Sequence, residues 1–197
     1  MRKPNDWETT PVFGEYVPLE LGGHVCKIMN VLVSKSRTGK DMLVIFLDIA
    51  EGDQKGYFAE RYKVNTRRDK KWSNGATVYQ LTLTEEGNTS PGYKKFIESV
   101  KVSNSDFNED ALWSDDDSAF CEYLKGRLVG AVFGREQYIS QRTNEKAFAT
   151  KVFRFCTVEE ARAGIPAPAD KLLTVGANTS AIQGFNETAD IDDDLPF

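Results

Sequence analysis

Long apolar runs are missing from this 197-residue chain. None approaches the roughly 20 residues a helix needs to cross a bilayer. The start, MRKPNDWETT, is basic but has no apolar stretch behind it. That is not a secretory signal, and the expectation is an intracellular, cytoplasmic protein. Cysteine is scarce: Cys26, Cys121 and Cys156 are widely spaced and form no CxxC. Three scattered cysteines make no disulfide framework and fit buried, reduced thiols. With one histidine, His24, and no cysteine pair, a structural zinc site lacks its ligands.

Catalytic frames are missing too. No GxxxxGK[ST] run precedes the Gly39-Lys40 pair, so the spacing of amides that cradles phosphate is absent. His24 has no recognisable nucleophile motif beside it. The acidic stretch NEDALWSDDD, 108–117, lacks the DxDxDG frame of a calcium loop and reads as a solvated loop with a helix cap. No enzyme, cofactor or metal is expected.

What is present divides sharply by charge. Of 25 basic and 30 acidic side chains, residues 166–197 hold one and six. The rest of the chain is therefore balanced, and its surface can still carry a basic face. Residues 165–189, IPAPADKLLTVGANTSAIQGFNETA, lack a sustained period and are poor in core-forming types. They read as a flexible linker, of roughly 25–30 Å typical span, with Leu172, Leu173 and Val175 as residues able to dock. The last eight residues, DIDDDLPF, follow. The expected organisation is a body over 1–164, a linker over 165–189 and a disordered acidic-hydrophobic tip over 190–197.

In the body, 23–35 alternates as a strand and 42–50 is apolar enough for a strand covered on both faces, with SRTGKD as the loop between them. Residues 56–64 and 77–83 are two more expected strands, and 127–139 and 146–157 a second hairpin. Tyr93, Phe96, Ile97 and Val100 share one helical face over 90–100. A shorter helix is expected at 118–126, capped by Asp117 or Ser118, and a last turn at 158–164 with Thr157 and Glu160 as a capping box. Strands, helices, then strands again do not suit a parallel α/β fold. They suit a mainly β, OB-fold-like antiparallel barrel with inserted helices.

The stretch KGYFAERYKVNTRRDKKW, 55–72, interleaves Lys55, Arg61, Lys63, Arg67, Arg68, Lys70 and Lys71 with Tyr57, Phe58, Tyr62 and Trp72. Cations attract phosphate, and flat side chains stack on unpaired bases whatever the sequence. The second hairpin repeats the pattern with Arg135, Tyr138, Arg142, Lys146 and Phe148, and the first adds Lys35, Arg37 and Lys40 at its tip. These residues form the candidate nucleic-acid-binding set. A basic loop is also what any solvated segment looks like, and aromatics in strands also fill cores. The stretch alone leaves both readings open. Phe46, Phe96, Phe133 and Phe153 are assigned to the core.

A tail kept for solubility has no use for a terminal phenylalanine. As a ligand, Asp192, Asp193 and Asp194 steer toward a basic partner, Leu195 and Phe197 supply apolar anchors, and Pro196 restricts the backbone. DDDLPF resembles the C-terminal tip of bacterial single-stranded DNA-binding proteins, which typically ends Asp-Asp-Asp-Ile-Pro-Phe. The body, through GGHVCKIMNV and GKDMLVIFLDIAEGDQKGYF, resembles bacteriophage and prophage proteins of Gram-positive hosts thought to bind single-stranded DNA. The resemblance implies a non-enzymatic protein of a bacterial host cell's cytoplasm that binds and protects single-stranded DNA. It further implies recruitment of replication, recombination or repair enzymes through 192–197, with self-association common among such binders. Two alternatives stay open: a strand-annealing or recombination-mediator protein, and an adaptor that presents the tail without binding DNA.

Overall fold

The computed structural model describes residues 2–5, 17–114 and 116–173. The expected tip, 190–197, and most of the expected linker lie outside the described residues. The elements in chain order are β1 (Gly22–Lys35), β2 (Asp41–Ile49), α1 (Tyr57–Val64), β3 (Thr77–Leu81), α2 (Pro91–Ser103), α3 (Glu109–Leu112), α4 (Asp117–Leu124), β4 (Leu128–Ile139), β5 (Lys146–Cys156) and α5 (Val158–Arg162). The strands make one antiparallel five-stranded sheet in the order β3-β2-β1-β4-β5. The protein is thus mainly β with a few helices.

β1 is the hub. Its first part, Gly22 to Lys27, pairs with β4, and Cys26 to Lys35 pair with β2, with a register shift between Ile28 and Asn30. An extra residue there bends the strand and sharpens its twist. The edge strands β3 and β5 share no ladder. They line opposite sides of a cleft of about 300 Å³, so the ladder stays open at that point.

β2 is buried on both faces from Met42 to Ile49, as its apolar run, broken by Asp48 alone, requires. One side of the sheet and the helices close over Ile28, Val31, Ile45, Leu47, Phe96, Val100, Leu124 and Phe133. Each such side chain contributes about 1.5–3 kcal/mol by leaving water. A second apolar cluster, Val25, Val132, Cys156, Val158 and Ala161, lies under α5. Thr157 accepts from the Glu160 amide, and the Glu160 carboxylate accepts from the Thr157 amide, the expected capping box.

Five expectations need correction. Residues 56–64 are not a strand: α1 occupies them. The cause is tertiary, because Asp48, buried at the end of β2, accepts from the Ile49 and Phe58 amides at 2.9 Å each and so caps the first turn of α1. The acidic loop 108–117 holds α3, with Asn108 accepting from the Asp110 amide, and α4 is capped one residue earlier than expected, by Asp116. Phe153 is only half-buried; Phe155 takes the core position, 4.7 Å from the Phe96 ring. Residues 165–173, the start of the expected linker, lie on the body: Gly23 donates to the Ile165 carbonyl, and Lys171 forms an isolated parallel bridge with Glu136 on β4.

Candidate nucleic-acid interface

Two basic-aromatic segments distant in sequence meet at one end of the sheet. α1 and the loop after it are tied to the end of β2: Gly56 donates to the Ile49 carbonyl, and the Trp72 indole donates to the Leu47 carbonyl at 3.0 Å. β4 runs on past the start of β1, since Gly22 pairs with Phe133 and β4 continues to Ile139. The overhanging β4–β5 hairpin therefore reaches the same end. The contact is direct, because the Lys151 ammonium donates to the Asn74 carbonyl at 3.2 Å. A Cβ on Gly75 would meet the Thr150 carbonyl at 3.0 Å and the Phe58 ring at 3.6 Å. Phe58 itself stacks on Phe133 of β4 at 5.9 Å.

Within 55–72 the roles divide. Phe58 and Trp72 are buried and belong to the core, so these two expected stacking residues cannot lie flat on a base without unfolding their surroundings. Tyr57 and Tyr62 are half-buried, and each keeps a cation nearby. Arg61 donates to the Tyr57 hydroxyl at 2.8 Å, and the Lys70 ammonium sits 4.5 Å from the Tyr62 ring centre. Tyr62 also leans on Trp72 at 5.5 Å. Lys55, Arg61, Lys63, Arg67, Arg68 and Lys71 are exposed, and the turn that presents Arg67 is fixed by its amide donating to the Asn65 side chain.

On the hairpin, pairing decides which side chains share a face. Arg135 is opposite Thr150, Gln137 opposite Phe148, and Ile139 opposite Lys146. Alternation along each strand puts these on the face that carries Phe133, the face that meets α1. The Arg135 guanidinium lies 5.2 Å from the Phe148 ring centre. Tyr138, opposite Ala147, is on the other face. Arg142 is exposed in the connecting loop. Phe148 and Tyr138 are 43% and 40% exposed, which leaves the Phe148 ring open enough to take a base. Burial pulls the Lys151 ammonium below the ordinary lysine range.

The first hairpin's cations are elsewhere. Lys35 pairs with Asp41 at 2.5 Å and Lys40 with Glu85 at 3.1 Å. Nine positions of β1 separate Lys35 from Cys26, which faces the last residue of β2; that is about 30 Å of strand. Lys35, Arg37 and Lys40 are thus not brought together with the other candidates.

Sequence reasoning named Leu172 and Leu173 as able to dock but missed the polar contacts of Asp170 and Lys171. Arg135 holds Asp170 with two bonds of 2.9 and 2.7 Å, and Lys171 pairs with Glu136. The prolines at 166 and 168 hinted at an extended chain, but nothing in the composition says which edge such a chain covers. No cluster of three metal-ligating side chains occurs among the described residues, and none of their helices is long and apolar enough to cross a membrane. In comparison with known proteins, no family model matches the chain, and no curated protein matches it.

Proposed function

We propose that the protein binds single-stranded DNA without sequence preference and, through residues 192–197, recruits replication, recombination or repair enzymes. One observation supports the reading: the segments that interleave cations with aromatics, 55–72 and 135–151, reach the same end of the sheet, where Lys151 donates to the Asn74 carbonyl two residues past the first segment and Gly75 lies between Phe58 and the Thr150 carbonyl. A solvated basic loop has no reason to be built against a second basic-aromatic hairpin. A strand of phosphates and bases uses both, with phosphate over Lys63, Arg67, Arg68 and Lys71 and bases on Phe148 and the half-buried Tyr57 and Tyr62.

The architecture supports the same reading. With β1 shared between β2 and β4, and β3 and β5 at the two ends, the sheet has the order of a five-stranded barrel opened between β3 and β5. We read it as OB-like, a fold that commonly presents oligonucleotide sites. The tip's acidic and apolar residues supply steering and an anchor for a partner enzyme.

The test is a titration of the full-length chain with labelled oligo-dT and with a duplex of equal length, at low and moderate salt. Salt-sensitive binding to the single strand alone is expected, with a log–log slope near −0.7 for each phosphate contacted. Absence of binding to either DNA overturns the reading and leaves a tail-presenting adaptor. Equal binding to both would make the surface a general polyanion site.

A further inference from the structure

We propose that Arg135 and Phe148 form a nucleotide subsite whose phosphate position is filled, in the free protein, by the carboxylate of Asp170. The inference rests on the single-strand reading above and gives that site a regulated position. A guanidinium grips a carboxylate and a phosphodiester with the same two-pronged geometry. Both prongs of Arg135 are taken by Asp170, at 2.9 and 2.7 Å. The guanidinium also lies against the Phe148 ring, itself 43% exposed. An anion on Arg135 thus sits beside a flat face able to take the attached base, as a nucleotide requires.

What holds Asp170 there is slight. The segment 170–173 touches β4 through two backbone bonds of 2.8 Å, Lys171 donating to the Arg135 carbonyl and Gln137 donating to the Lys171 carbonyl. One longer contact, 3.4 Å from the Leu173 amide to the Gln137 side chain, and the Lys171–Glu136 ion pair complete it. An ion pair with one partner open to water, as Lys171 is, is a weak fastener, and a segment with few buried apolar contacts opens at low cost. The stretch before it is fixed differently. Ile165 packs on the second apolar cluster and accepts from the Gly23 amide, and Pro168 lies against Gly134. A phosphate arriving at Arg135 displaces Asp170, frees 170–173 and leaves 165–168 in place.

The experiment uses the full-length chain and its D170N variant, titrated with oligo-dT at two salt concentrations. Hydrogen exchange of the Lys171 and Gln137 amides is followed in the unmodified protein with and without saturating oligo-dT. The expected result is about two- to fivefold tighter binding by D170N, the range an exposed ion pair commands. Its salt slope should change by less than one phosphate's worth, about 0.7, because Arg135 takes the same phosphate in both proteins. Oligo-dT should speed exchange at both amides. Unchanged or weaker binding by D170N, or amides that stay protected under saturating oligo-dT, overturns the subsite and leaves the single-strand reading standing. Failure of both proteins to bind oligo-dT overturns both.

Discussion

The two hairpins of the sheet are alike in sequence and opposite in use. Each is a long antiparallel pair joined by a polar loop with cations near its tip. In the first, β2 is buried on both faces, and the lysines that flank the tip are matched by carboxylates, Lys35 by Asp41 and Lys40 by Glu85. In the second, the half beyond Phe133 has left β1 behind, so Tyr138, Ile139 and Phe148 are exposed. One hairpin is scaffold and the other is surface. What separates them is where β1 begins, a matter of pairing and not of composition.

The largest expected effect breaks the scaffold. Leu47→Ala removes a fully buried side chain and should cost about 2–5 kcal/mol in urea unfolding, through lost transfer energy and the cavity left behind. A loss under about 1 kcal/mol would mean β2 is not the packed centre described. On the surface hairpin the cost should move from stability to binding. Phe148→Ala should leave stability nearly unchanged and lower oligo-dT affinity by about 1–3 kcal/mol. The converse tests a residue that looked like a stacking platform. Trp72→Phe should cost about 1–3 kcal/mol of stability, because a buried indole bond to the Leu47 carbonyl is lost. Its affinity for oligo-dT should not change once the protein is folded. Equal affinity losses for the Phe148 and Trp72 variants would erase the distinction between the two regions.

The same contrast explains what the sequence could reveal. β1, β2, β4 and β5 are legible because apolar patterning follows burial, and α2 because Tyr93, Phe96, Ile97 and Val100 recur at helical spacing. α1 is not. Phe58 and Tyr62 share a face in a helix one turn apart and in a strand at alternate positions, so eight residues cannot separate the two periods. The decision is made by the buried Asp48 carboxylate, ten residues before Phe58. At the candidate site, the residue types were visible but their depth was not. Trp72 and Phe58 differ from Phe148 only in what the fold lays over them. The Asp170 contact was invisible because it pairs residues 35 apart.

Asp48 offers a subtler probe of the join between scaffold and surface. Burial is the main cause that pushes its carboxyl above the ordinary range, and the Phe58 and Ile49 amides pull it partly back. A carboxyl raised in the folded state binds its proton more readily there than in the unfolded chain. Stability from this group is therefore fully present below the unfolded value of about 3.9 and falls as pH rises through the raised folded value. Asp48→Asn keeps an oxygen for both amides and removes the charge. Urea unfolding from pH 4 to 7 should show the unmodified protein losing ground to the variant as pH rises, and a gap that does not change with pH would mean the carboxyl is not raised.

The smallest effect belongs at the tip of the first hairpin. Lys40→Gln breaks an exposed ion pair with Glu85, and its cost to stability should be no more than about 0.5 kcal/mol. Its value lies in binding. A short oligo-dT held between α1 and the β4–β5 hairpin does not reach a side chain about 30 Å of strand away, so affinity and salt slope should stay as they are. A slope shallower by about 0.7 would count one phosphate at Lys40. The bound strand would then run along the sheet from one hairpin to the other, and the first hairpin would be surface as well as scaffold.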